Sequence, residues 1–132
     1  MMRTVVVMPV YEDVEASSIL FRNLAASQGL DAYVVAVDDG SVRRPLDVSA
    51  IQAAGLEGVV IRLRRNVGHQ RAIAIGLSYV AETFGDDVIV VAMDSDGEDT
   101  PESISQLVEG LASDEVDVVV ATRRSRVESD RK

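Results

Sequence analysis

The sequence predicts an α/β fold: a mostly parallel, twisted sheet with helices on both faces. Two observations carry this. Five short runs rich in Val and Ile, Thr4–Met8, Ala32–Val37, Gly58–Leu63, Val88–Met93 and Val116–Ala121, are continuous rather than alternating, as strands buried on both faces are. Between them lie segments whose apolar residues recur at helical spacing, and strands alternating with helices imply crossover connections and parallel pairing.

The elements follow in order. In Val14–Ser27, Ile19, Leu20, Leu24 and Ala25 mark one helical face, and in Gln70–Thr83, Ala72, Ile73, Ile75, Gly76, Leu77 and Val80 crowd one side. In Pro101–Leu111, Ile104, Leu107, Val108 and Leu111 repeat at three and four, with Thr100 suited to the N-cap and Pro101 to the first helical position. Asp47–Gly55 is short enough for a small helix in the second crossover. Pro9 is expected to break the first strand. No repeat, low-complexity segment or linker interrupts the pattern. Residues 1–122 read as one ligand-binding subdomain, and the polar segment 123–132 as a tail leading into a further half beyond this sequence.

Bulk properties narrow the function. The chain has 132 residues, no cysteine and a formal net charge of −9. A length of this order buries a core without disulfides or a structural metal. The lack of cysteine removes thiolate zinc sites and a cysteine nucleophile. An acidic balance excludes nucleic acid as a natural partner, because the phosphate backbone is bound by Lys and Arg. The first apolar stretch is too short for a signal peptide, and no run approaches the roughly 20 apolar residues of a membrane span. The reading is cytoplasmic, with any attachment to the inner face of a membrane made through parts outside this sequence. A sheet edge left uncovered would invite self-association.

In an open parallel sheet, ligands bind beyond the carboxyl ends of the strands, where strand order reverses. Four segments fall at those ends: Pro9-Val10-Tyr11-Glu12, Asp38-Asp39-Gly40-Ser41, Arg64-Arg65-Asn66-Val67-Gly68 and Asp94-Ser95-Asp96-Gly97-Glu98-Asp99. Two carboxylates spaced Asp-x-Asp after a buried strand are costly to desolvate unless something compensates. A divalent cation with a diphosphate would do so, and hard oxygen ligands select Mg²⁺ or Mn²⁺ over zinc. The alternative is a solvated acidic loop. Asp38-Asp39-Gly40-Ser41 and Asn66-Val67-Gly68 are equally compatible with plain turns, and Arg64, Arg65 and Arg71 with either a phosphate-facing or a solvated patch. His69, the single histidine, suits a loop position better than catalysis. Neither the P-loop nor the dinucleotide fingerprint is present.

Taken together, Val5-Val6-Val7-Met8-Pro9-Val10-Tyr11-Glu12, Val37-Asp38-Asp39-Gly40-Ser41, Arg65-Asn66-Val67-Gly68-His69-Gln70, Met93-Asp94-Ser95-Asp96 with Pro101-Glu102, and Val120-Ala121-Thr122-Arg123 resemble the successive motifs of family 2 glycosyltransferases with the GT-A fold. The loop Arg65–Gly68 and the run from Asp94 to Glu102 are most similar to the branch that loads sugars onto polyprenyl phosphates, in the manner of dolichol-phosphate mannosyltransferase. Gly97 and Glu98 depart from that branch, which has an apolar residue and an amide there.

The resemblance implies a metal-dependent, inverting transfer from a nucleotide-diphosphate sugar, UDP- or GDP-linked, to an acceptor such as a polyprenyl phosphate, in cell-wall or polysaccharide assembly. It implies that Pro9, Tyr11 and Glu12 line the nucleoside pocket. Asp38 or Asp39 then accepts hydrogen bonds from base or ribose, and the loop with Asn66 and Gly68 adjoins the nucleotide. Asp94 faces ribose and metal, Asp96 ligates the metal with Glu98 as helper, and Arg123 approaches a phosphate. The catalytic base is expected outside this sequence. Two rivals stand beside this reading. A haloacid-dehalogenase-like phosphatase would use Asp94 as nucleophile and Asp96 as acid. A fragment without activity would bind nucleotide only.

Overall fold

The computed structural model describes residues 3–27, 29–85, 87–93, 106 and 118–121. Among the described residues the elements follow in the order β1 (Arg3–Val10), α1 (Val14–Ala26), β2 (Ala32–Asp38), α2 (Val48–Ala53), β3 (Glu57–Arg62), α3 (His69–Thr83), β4 (Val88–Met93) and β5 (Val118–Ala121). The five strands form one sheet in the order β3-β2-β1-β4-β5, and every neighbouring pair is parallel.

The Val-rich runs become strands because both faces of the sheet are covered. Side chains alternate across a strand, so Val6, Met8 and Val10 of β1 join Leu20, Phe21 and Leu24 of α1 and Ile51 of α2 on one face. Val5 and Val7, with Val35 and Val37 of β2, meet Ala72 and Val80 of α3 on the other. Leu20, Phe21 and Leu24 are completely buried, and each such side chain contributes about 1.5–3 kcal/mol through removal from water.

Helix boundaries follow capping chemistry. Asp13 opens α1, its carboxylate accepting from the Ala16 N–H at 3.2 Å, and Asp47 opens α2 by accepting from Ser49 at 2.9 Å. The short helix expected within Asp47–Gly55 is therefore present as Val48–Ala53. α3 begins one residue before the expected Gln70, at His69, because Gly68 at φ 98° turns the chain into it. Of the helix expected over Pro101–Leu111, only residue 106 is described, and it is helical.

Pro9 does not end β1 as expected: the strand runs on to Val10. The described pairing of β1 with β4 stops at Val7↔Ala92, whereas that with β2 continues to Val10↔Asp38. Pro9 thus lies within the ladder with β2, near the end of the strand.

This order fixes where a ligand can sit. From β1 the chain moves outward through β2 to β3, then returns to the other side of β1 at β4. The reversal lies between the carboxyl ends of β1 and β4, the position at which open parallel sheets bind their ligands.

Candidate functional site

Three loops meet at the carboxyl edge, and three acidic side chains tie them together. Asp38, the last residue of β2, is completely buried. Its Oδ1 accepts from the Ser41 N–H at 2.9 Å and its Oδ2 from the Leu46 N–H at 2.8 Å. Asp39 is equally buried. Its Oδ1 accepts from the Val67 N–H at 2.7 Å and its Oδ2 from the Gly68 N–H at 3.0 Å. Asn66 Nδ2 donates to the Asp39 carbonyl at 3.2 Å. Such charge-assisted bonds to backbone N–H groups are what make two buried carboxylates tolerable.

Asp38 and Asp39, the pair expected to accept from base or ribose, are built into the loops at this edge. Both residues are buried, and every oxygen of both carboxylates already takes a backbone N–H. These bonds shape the β2–α2 and β3–α3 loops from beneath.

Glycine makes the close approach of those loops possible. Gly40 stands at φ 83°, and a Cβ there would lie 2.5 Å from Arg65 C and from Asn66 N. Only a residue without a side chain lets the two loops cross at this point.

At the end of β1, Pro9 is buried while Tyr11 is 44% exposed, so its ring is available at the reversal point. Glu12 is half-buried. Its Oε2 accepts from the N–H groups of Val42 at 2.7 Å and Arg43 at 3.1 Å, and its Oε1 from that of Arg44 at 2.9 Å. The Val42 N–H first, then the Arg43 and Arg44 N–H groups, hold the Glu12 carboxyl below its ordinary range. Arg44 in turn pairs with Glu15 at 2.9 Å, which lowers Glu15 likewise and raises Arg44.

Sequence reasoning missed the partners. Ser41, whose Oγ accepts from the Glu12 N–H at 2.8 Å, and Arg44 received no role. The signal available was Asp38 three residues before Ser41, the spacing of a side-chain turn. Arg64, Arg65 and His69 are exposed.

Asp94, Asp96, Glu98 and Arg123 lie outside the described residues. Among the described residues, no group of three His, Asp or Glu could hold a metal ion, and no helix is long and apolar enough to cross a membrane. A cavity of about 360 Å³ opens at the opposite, amino edge of the sheet, beside Arg3, Asp31 and Glu57. Those three charges mostly satisfy one another, for Arg3 pairs with both acids.

Comparison with known proteins agrees with this geometry. Residues 5–132 match the family described as glycosyl transferase family 2. The chain is 38% identical over 129 residues to the undecaprenyl-phosphate 4-deoxy-4-formamido-L-arabinose transferase of Sodalis glossinidius (strain morsitans), covering 94% of this chain and 38% of that protein. It is 37% identical to the protein of the same name from Edwardsiella ictaluri (strain 93-146), again over 94% of this chain and 38% of the relative. The chain therefore spans well under half the length of these curated relatives. A match over nearly every residue is at odds with the phosphatase reading of Asp94-Ser95-Asp96-Gly97, and the chain belongs to glycosyl transferase family 2.

Proposed function

We propose that this chain is the donor-binding side of a glycosyltransferase that moves a sugar from a nucleotide diphosphate to a polyprenyl phosphate. The observation that carries the reading is the strand order. It places the reversal between the ends of β1 and β4, with Tyr11 exposed after β1 and, in the sequence, Asp94–Glu98 following directly on Met93, the last residue of β4. The family match supports a glycosyl transfer, and the names of the relatives, which specify undecaprenyl phosphate, support the acceptor class.

In this proposal the nucleoside rests against Tyr11, with the rim at Gly40, Ser41, Asn66 and Gly68 beside it. Pro9, Glu12, Asp38 and Asp39 support that rim from below. The carboxylates of Glu12, Asp38 and Asp39 are occupied by backbone N–H groups. Cation binding therefore falls to Asp94, Asp96 and Glu98, an all-oxygen set suited to Mg²⁺ or Mn²⁺. The bound cation would supply neutralisation of the diphosphate charge.

Arg123 adds positive charge near a phosphate as negative charge grows on the leaving diphosphate. A phosphate acceptor is already anionic. Its oxygen bonds to the anomeric carbon as the bond to the diphosphate breaks, which inverts that centre, and any base comes from outside this chain. The site faces the cytoplasm, with membrane attachment through other parts of the full protein.

Calorimetric titration with UDP and with GDP, each with and without Mn²⁺, tests the proposal. Binding to one nucleotide that strengthens with metal and is lost in Asp96→Ala is expected. Metal-independent binding, or binding unchanged in Asp96→Ala, would count against the assigned cation site.

A further inference from the structure

Glu12 is held in a way that lining a pocket does not require. Its backbone lies at φ 52°, in the left-handed region that a residue with a Cβ occupies only when its surroundings enforce it. Two sets of contacts enforce it here. The Glu12 N–H donates to Ser41 Oγ at 2.8 Å. Its carboxylate takes the N–H groups of Val42, Arg43 and Arg44 at 2.7, 3.1 and 2.9 Å. Three successive backbone N–H groups converging on one point form a concave anion-binding nest. The anion that fills it is this protein's own carboxylate, 30 to 32 residues away in the chain. Loop residues 42–45 are otherwise exposed, Val42 at 83%, so no hydrophobic burial holds them in this shape.

We propose that Glu12 is a positioning residue: by filling the nest of residues 42–44 it locks the β2–α2 loop to the β1–α1 turn, and so fixes the rim on which Tyr11 presents its ring to a nucleotide. The second half of this statement rests on the nucleotide-binding reading above; the clasp itself does not.

Amide hydrogen exchange followed by NMR separates the two. In Glu12→Ala, protection at Val42, Arg43 and Arg44 should fall about tenfold or more, as expected for loss of charge-assisted bonds, while amides of β1 and β2 keep theirs. Glu12→Gln, which retains the shape but not the charge, should lie between and also serves if the Ala variant fails to fold. Protection of these amides in the parent chain should fall as acid protonates Glu12, and this dependence should be absent in Glu12→Gln. Glu15→Gln, which removes only the Arg44 side-chain pairing, should leave them within about twofold.

The affinity for whichever of UDP or GDP binds should weaken about tenfold in Glu12→Ala and less in Glu12→Gln. Unchanged protection in both Glu12 variants, or equal loosening in Glu15→Gln, overturns the clasp. A loosened loop with undiminished nucleotide affinity overturns the positioning role. If neither nucleotide binds the parent chain, the functional reading fails, and the exchange comparison still decides the clasp.

Discussion

At the scale of single residues, the site is organised by carboxylates that face inward. Asp39 shows the consequence most simply. Its two oxygens satisfy the Val67 and Gly68 N–H groups, and removing one partner of a buried hydrogen bond costs roughly 1–3 kcal/mol because the other is left unpaired. Asp39→Ala is therefore expected to lower the urea midpoint without changing the slope of the transition. Gly40→Ala should be similarly damaging. It combines a positive φ with a Cβ 2.5 Å from the backbone of Arg65, and backbone, unlike a side-chain tip, cannot swing aside. A midpoint equal to that of the parent chain would mean that the two loops do not cross as described. The pair Asp38-Asp39 was legible in the sequence as the carboxyl end of a buried strand, because it directly follows an apolar run. Its task was not, because the groups it binds lie as far as 28 and 29 residues along the chain, and no local pattern announces them.

At the scale of elements, packing against the sheet decides the outcome. Gly76 lies in α3 where a Cβ would come 2.5 Å from Val7 Cγ1 and 3.0 Å from Val37 Cγ2. Replacing Gly by Ala inside a helix normally gains about 0.5–1 kcal/mol. Crowding a filled core normally costs about 1–3 kcal/mol. The second effect is larger here, since Val7 and Val37 are themselves fully buried in the strands beneath. Gly76→Ala should thus destabilise the protein, and a gain in thermal midpoint would show that α3 stands further off the sheet. β1, β2 and β4 were readable in advance because burial on both faces leaves unbroken Val and Ile runs, and the half-buried β3 keeps a similar run. Their ends were less so. β1 outruns Pro9 because its pairing with β2 continues to Val10↔Asp38, a fact of pairing rather than of sequence. The Asp94–Glu98 cluster and Arg123, the boldest part of the reading from sequence, lie outside the described residues.

At the scale of the whole molecule, charge and topology act together. Glu12, Glu15 and Asp47 all have carboxyls held below their ordinary range, by the Val42 N–H, the Arg44 side chain and Ser49 respectively. A depressed folded-state value means that the unfolded chain takes up protons more readily. The stabilisation is therefore present above the unfolded value, near pH 4 for a carboxyl, and is lost as pH falls through the folded values. The thermal midpoint should accordingly be steady towards neutral pH and drop on acidification below about pH 4. The acid-induced drop should be shallower in Glu12→Gln; an equal slope would mean that this carboxylate is not bound as described. The clustering of these groups at the carboxyl edge, with Arg3 pairing with Asp31 and Glu57 at the other, gives the two edges of the sheet different chemistry despite one overall negative charge.

The central claim is that nucleotide binds at the carboxyl edge, where strand order reverses. The most direct test is backbone amide chemical-shift mapping with UDP or GDP and Mg²⁺. Shifts are expected at Tyr11, Gly40, Ser41, Asn66 and Gly68 and at Met93, with Arg3, Asp31 and Glu57 unmoved. Shifts confined to the cavity beside those last three residues, or none at saturating nucleotide, would contradict it.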